Sequence, residues 1–283
     1  MQIGIRLHDS KKAPLEERLK NVKAQGFQCA HIALSKLFED KKYSDISALT
    51  PGYAMYLKKC FEENELDIAV LGCYLNPANP NLEKLKEIQK KYEAHIRFAS
   101  VLGAGVVGTE TGAPNEDYKF EPACRSREAL DAFIRGLEPV VEYAESTGVI
   151  LAIEPVAKHI VYDEKRAREV LNAIASPNLR IILDAVNLLD YDNYKNQKEV
   201  VQRAIDELHE EIAVIHIKDY VIKDKNIISV GAGQGYMDYD ALLSFIAKEK
   251  PYIHATLENT TPETAVSSRE LIENRYRILG GES

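Results

Sequence analysis

The amino-acid sequence predicts an α/β fold: a single eight-stranded parallel barrel, (β/α)8, spanning residues 1–283 as one domain. Three observations lead there. Strand-like apolar runs alternate with helix-like runs from end to end, an order that implies parallel strands joined by crossover helices. Eight such units recur at about 35 residues each, the size of a closed barrel. No GxGxxG or GxxxxGK(S/T) turn follows the first strand, so a doubly wound open sheet lacks its phosphate-binding signature.

The elements follow in order. The first strand is expected over 2–7. A helix over 14–25 repeats Leu15, Leu19 and Val22 at spacings of four and three, and Gly26 caps its end. The second strand covers 29–34. A helix over 51–64 carries Tyr53, Tyr56, Leu57 and Phe61 on one face. The third strand, 66–74, runs into the breaker-rich Asn76-Pro77-Ala78-Asn79-Pro80. A long helix over 82–102 ends at Gly103, and Gly105 leads into the fourth strand, 106–109. The polar stretch 111–122 reads as a loop. Helix 125–147 stops at Gly148, before strand five at 149–154. Helix 164–174 precedes strand six, 180–184, and helix 198–210 precedes strand seven, 212–217. A second long loop, 219–238, holds Gly231, Gly233 and Gly235. Helix 239–248, strand eight at 253–257 and helix 262–279 follow.

Composition narrows the function. A net charge of −8 opposes general nucleic-acid binding, which needs a basic surface against phosphate. Cys29, Cys60, Cys73 and Cys124 form no CxxC pair, so neither a disulfide framework nor a thiolate zinc site is expected. The opening MQIGIRLHDSKK has no signal-peptide core, and no window approaches a membrane span. A cytoplasmic location without membrane partners is the expectation, and apolar outer helix faces leave room for a homo-oligomer.

The polar residues then point to a site. Strands of such a barrel are buried on both faces, so a charge at a strand's C-terminal end needs a partner or a task. Active sites of these barrels lie at that end. The last four strands finish in Glu154, Asp184, His216 and Glu258. By period-two alternation, Ala152 and Ile150 share the inward face with Glu154, and Ile182 shares it with Asp184. Val214 and Ile212 go with His216, and Thr256 and His254 with Glu258, which puts His254 near the barrel's bottom. Three carboxylates on one rim repel and raise one another's pKa values. A divalent cation resolves that conflict, and carboxylates with one imidazole suit Mn²⁺, Mg²⁺, Co²⁺ or Zn²⁺. Helix caps or lysine salt bridges explain any one of the four, but not four on consecutive strands.

These residues carry a family resemblance. LAIEP around Glu154, ILDAVN around Asp184, VIHIKD around His216 and TLEN around Glu258 resemble the sugar phosphate isomerase/epimerase group of the xylose isomerase-like TIM barrel superfamily. The segment VGAGQGYMDYDALLSFI also matches that group, and the resemblance covers the whole chain. It implies one divalent metal held by Glu154, Asp184, His216 and Glu258. It further implies that Glu154 and Glu258 flank a substrate, one removing a proton next to a carbonyl and the other returning one. The chain departs from the family's ketose epimerases at several points. Asn187 stands where they carry a histidine, Ile160 where they carry a glutamate and His31 where they carry an acidic residue. Lys218 and Asp219 occupy the region of their arginine.

Other residues are candidates for substrate contact. Lys218 lies on the rim by parity, with a salt bridge to Glu154 or Asp184 as its plain alternative. Asp219 and Asn187 have loop-cap and helix-cap alternatives. His8 and His31 end or occupy the first two strands, and each is otherwise a satisfied polar residue. Glu110 follows strand four. Tyr74 and Asn76 follow strand three and suit a sugar pocket in a chain with no tryptophan. His95 and His209 are expected to be solvated on helices. The expected activity is a metal-dependent isomerase or epimerase of a small sugar, sugar phosphate or polyol derivative. A dehydratase of an inosose or keto sugar is the alternative, since the same enediolate can expel a β-hydroxyl. A DNA-repair endonuclease is remote on charge and on its need for further histidines.

Overall fold

A computed structural model describes residues 1–37 and 45–281. The elements in chain order are β1 (Gln2–Arg6), α1 (Leu15–Ala24), β2 (Cys29–Ile32), α2 (Leu34–Leu37), α3 (Pro51–Glu62), β3 (Asp67–Gly72), α4 (Leu82–Leu102), β4 (Val106–Glu110) and α5 (Arg127–Thr147). Then come β5 (Leu151–Glu154), α6 (Glu164–Ile174), β6 (Leu179–Asp184), α7 (Gln197–Leu208), β7 (Ile212–Ile217), β8 (Asp219–Lys223), β9 (Asn226–Val230), α8 (Asp240–Glu249), β10 (His254–Leu257) and α9 (Ala265–Ile278). Eight parallel strands close in the order β1-β10-β7-β6-β5-β4-β3-β2, the predicted (β/α)8 TIM barrel.

Local chemistry fixes the helix ends. Asn81 accepts from the Glu83 and Lys84 amides at the start of α4, and Ser126 accepts from the Ala129 amide at the start of α5. Gly103 and Gly148 close those helices at φ +78 and +69, where a side chain is disfavoured. Within α5, Gly136 leaves room for the breaker-rich loop after β3. A Cβ there would lie 1.8 Å from the Pro77 carbonyl oxygen.

Two apolar layers result. Cys29, Ala69, Val70, Val106, Ala152, Ile182 and Val214 fill the barrel's interior as one small cluster. The larger cluster lies between strands and outer helices. The inward set expected from parity holds for Ala152, Ile182 and Val214, with Ile150 packed against them. Ile212 is an exception. The β6–β7 register shifts between Ile181 and Ile182, so Ile181 pairs with Ile212 but Ile182 pairs with Val214. The irregularity sends Ile212 to the outer layer and brings Ala213 against the interior.

A larger departure lies after β7. The stretch expected as a loop over 219–238 contains an antiparallel hairpin, β8 against β9. Its β-branched residues Val221, Ile222, Ile227 and Ile228 favour strands. Asp224 and Lys225 make the two-residue turn with φ +49 and +59, the left-handed pair that a tight hairpin requires. The four cysteines are free and buried. No helix among the described residues is long and apolar enough to cross a membrane.

Candidate active site

The C-terminal rim gathers the expected residues from separate strands. Asp184 pairs with His216 across β6 and β7, and Glu110 with Glu154 across β4 and β5. Glu258 follows β10. Glu154, Asp184, His216 and Glu258 are all between 1% and 5% exposed. His216 stands between the two glutamates, with Nδ1 3.4 Å from Glu154 Oε2 and 3.5 Å from Glu258 Oε1. Asp184 accepts from the Val186 and Asn187 amides through Oδ1, which aims its other oxygen at the rim. Lys218 Nζ lies 2.8 Å from that Oδ2 and 3.6 Å from Glu258 Oε2.

The electrostatics follow from burial and crowding. Burial opposes charge on His216, but Glu258 and Glu154 overcome it and push the imidazole up to about 9. Burial likewise opposes charge on Lys218, and Asp184 and Glu258 outweigh it, holding the ammonium above its ordinary range. Burial works against ionised Glu258, yet His216 and Lys218 hold it well below the usual carboxylate range. Glu110 behaves oppositely. Burial, and then the charge of Glu154, push it up to about 7. Burial also raises Asp184 above its usual range in spite of the Lys218 charge beside it, so without a metal the carboxylates of the rim share one imidazole and one ammonium unevenly.

That balance leaves atoms unsatisfied. Both ring nitrogens of His216 are buried with no hydrogen bond, although the carboxylates of Glu154 and Glu258 are close. Buried polar atoms ordinarily have partners, and an ion explains such exceptions. Glu154, Asp184 and His216 form one group whose ligand atoms lie within 4.8 Å of one another; His31, His216 and Glu258 form another. Carboxylate oxygens with imidazole nitrogen form a donor set that fits a divalent cation.

The rim opens into a cavity of about 890 Å³, lined by Glu110, Glu154, Lys218, Glu258, His8, His31, Tyr74 and Asn187 among others. Asn187 Nδ2 donates to Glu154 Oε1 at 2.5 Å. His31 stacks on His216, with centroids 5.1 Å apart and rings 15° from parallel. Its Nε2 is 3.1 Å from the Tyr74 hydroxyl. Glu110 accepts from the Tyr118 hydroxyl at 3.3 Å, and His159 Nδ1 lies 3.8 Å from it. Ser229 of β9 reaches the same cavity.

Two residues expected against substrate serve the scaffold instead. Asp219 does not line the cavity. Its Oδ1 accepts from the Tyr220 and Met237 amides, and its Oδ2 from the Gly233 and Gly235 amides. The carboxylate is spent organising the hairpin and the glycine loop, which is the loop-cap alternative. Asn76 likewise bonds to the backbone at Ala78, Ala113 and Asn115. His95, expected to be solvated, is half-buried, bonds to the Lys91 carbonyl and lines the cavity. His254 does sit at the barrel's bottom, 3.0 Å from Asp67.

Sequence reasoning missed Arg6. It ends β1, pairs with Asp9 at 2.9 Å and places Nη1 3.3 Å from Glu258 Oε2. The signal was available, since a charge at the C-terminal end of a barrel strand is the rule that found the other rim residues.

Comparison with protein families matches residues 19–275 to the xylose isomerase-like TIM barrel. The chain belongs to that family. The xylose isomerase-like match includes all four expected ligands and begins after Arg6. Sequence comparison with curated proteins finds no significant match. Among solved structures, a D-tagatose 3-epimerase-like protein is 22% identical, with a TM-score of 0.76 over 99% of this chain and 98% of its own. The 3-keto-D-glucoside 4-epimerase of E. coli is 16% identical, TM-score 0.74, over 97% and 99% of the two chains. The IolI protein, solved with a bound zinc atom, is 18% identical, TM-score 0.72, over 99% and 98%. At these identities the likeness establishes the xylose isomerase-like fold.

Proposed function

We propose that this protein is a divalent-metal-dependent isomerase or epimerase acting on a small sugar, sugar phosphate or polyol derivative. One observation carries the reading. Two buried carboxylates, Glu154 and Glu258, each bring one oxygen to Nδ1 of His216, at 3.4 and 3.5 Å, and both line a cavity large enough for a sugar. The names of the structural neighbours support the sugar class.

Glu154, Asp184, His216 and Glu258 would hold the cation, which fits Mn²⁺, Mg²⁺, Co²⁺ or Zn²⁺. When bound, it supplies Lewis-acid polarisation of substrate oxygens, which makes a proton next to a carbonyl removable. The protein's own groups do the rest. Glu258, a buried carboxylate on the cavity wall, is placed to accept that proton. Glu154, which accepts from the Asn187 amide, is the second carboxylate, and it would return a proton from the other side once it has itself taken one up from solvent. Lys218 and Asn187 face the cavity with donors for substrate hydroxyls. Glu110, with its pKa near neutrality, offers a proton to a substrate oxygen.

The test is isotope exchange. Metal-loaded protein is incubated with ketoses, ketose phosphates and inososes in deuterated water, and NMR follows the α-proton. Deuterium is expected at the carbon beside the carbonyl of one substrate class. Glu154→Gln or Glu258→Gln slows exchange by about 10²–10⁴-fold. Loss of water with a new carbonyl makes the protein a dehydratase. No exchange on any substrate removes the reading.

A further inference from the structure

His31 is more than a wall of the cavity. It is 1% exposed and turned to the rim, where it lines the cavity. Its ring lies against His216, and the two share a cluster with Glu258 whose ligand atoms all fall within 4.8 Å. Nδ1 of His31 is buried without a hydrogen bond, 3.4 Å from Glu258 Oε1. The other nitrogen, Nε2, is engaged by the Tyr74 hydroxyl. Room for this pair comes from Gly72, where a Cβ would lie 2.6 Å from the Tyr74 ring and 3.0 Å from His31 Nε2.

An imidazole pinned at one nitrogen by an outer partner, with the other nitrogen aimed into a donor cluster, is how proteins hold a metal-ligating histidine. We infer that His31 is a fifth donor to the rim cation, making the centre two imidazoles and three carboxylates. The inference rests on the proposal that the rim holds a divalent cation. In the ligating state Nε2–H donates to Tyr74 Oη, and the Nδ1 lone pair faces the cation. A second nitrogen donor also moves the site's preference away from Mg²⁺ and Mn²⁺ towards Co²⁺ and Zn²⁺. Merely steering Glu258 by hydrogen bonding would leave that preference unchanged.

The experiment counts nitrogens. Metal-stripped protein is loaded with one equivalent of Cu²⁺ as a probe, and pulsed EPR reports the number of coordinated imidazoles. Two are expected in the wild type and one in His31→Gln. Zn²⁺ and Mn²⁺ affinities are then measured by calorimetry on both proteins, with thermal denaturation to verify folding. Zn²⁺ binding of His31→Gln should weaken by about ten-fold or more, and Mn²⁺ binding by much less. A single imidazole in the wild type, or equal losses for the two metals, overturns the fifth-donor assignment while leaving the four-residue site intact. A wild-type protein that takes up no cation overturns both.

Discussion

Lys218 is 6% exposed, and its ammonium sits among groups that a metal would also attract. Two forces act there. Its charge competes with a cation for Asp184 and Glu258, yet it also compensates those carboxylates when no cation is bound. Removing one partner of a buried ion pair leaves the other uncompensated, a loss of about 3–5 kcal/mol. Lys218→Met is therefore expected to lower the melting temperature of the metal-free protein sharply and to recover most of the loss when Mn²⁺ is added. Calorimetric melting with and without metal checks this; equal losses in both states contradict it. The four rim residues were legible because strand parity and the C-terminal-end rule are geometric and need no tertiary detail. Arg6 obeyed the same rule but was passed over because the first strand was expected to run to Leu7, with His8 at its end. Asp219 takes the loop-cap alternative, and the sequence could not choose between its two roles, because its partners are backbone amides at positions 220, 233, 235 and 237 and backbone donors leave no mark in a sequence.

At the level of elements, that single carboxylate ties the start of β8 to the glycine loop that follows β9. Asp219→Ala strips the acceptor from four amides, of which those of Tyr220 and Met237 are buried, and unsatisfied buried donors cost about 1–3 kcal/mol each. A destabilisation of about 3 kcal/mol is expected, with hydrogen exchange accelerated at Gly233, Gly235 and Met237. Unchanged protection there would show that the loop is held by something else. Alpha 5 offers a second test. Ala is a better helix former than Gly by about 1 kcal/mol, so propensity alone makes Gly136→Ala stabilising. The Pro77 carbonyl beside it reverses the sign, and a loss of about 1–3 kcal/mol from overpacking is expected in thermal melts. Helices were legible here through their caps and apolar faces. The hairpin was hidden because its turn, Asp224-Lys225, lacks the glycine that usually announces one. Ile212 was misplaced because a one-residue irregularity between β6 and β7 breaks the alternation that parity assumes.

For the whole molecule, the barrel supplies a rigid ring on which residues far apart in sequence meet. Arg6 and Glu258 are 252 positions apart in the chain and hydrogen-bonded at 3.3 Å in the fold. A site assembled from so many strands binds its cation only in the folded state, so binding and stability are linked. At a metal concentration of 1,000 times Kd the native state gains about 4 kcal/mol. The most direct measurement is calorimetric titration of the metal-stripped protein with Mn²⁺ or Zn²⁺. The expected result is one cation per chain in the wild type, with binding lost or severely weakened in Glu154→Gln, Asp184→Asn and Glu258→Gln variants that still fold. No uptake by the wild type, or undiminished uptake by all three variants, would contradict the assignment of the rim as a metal centre.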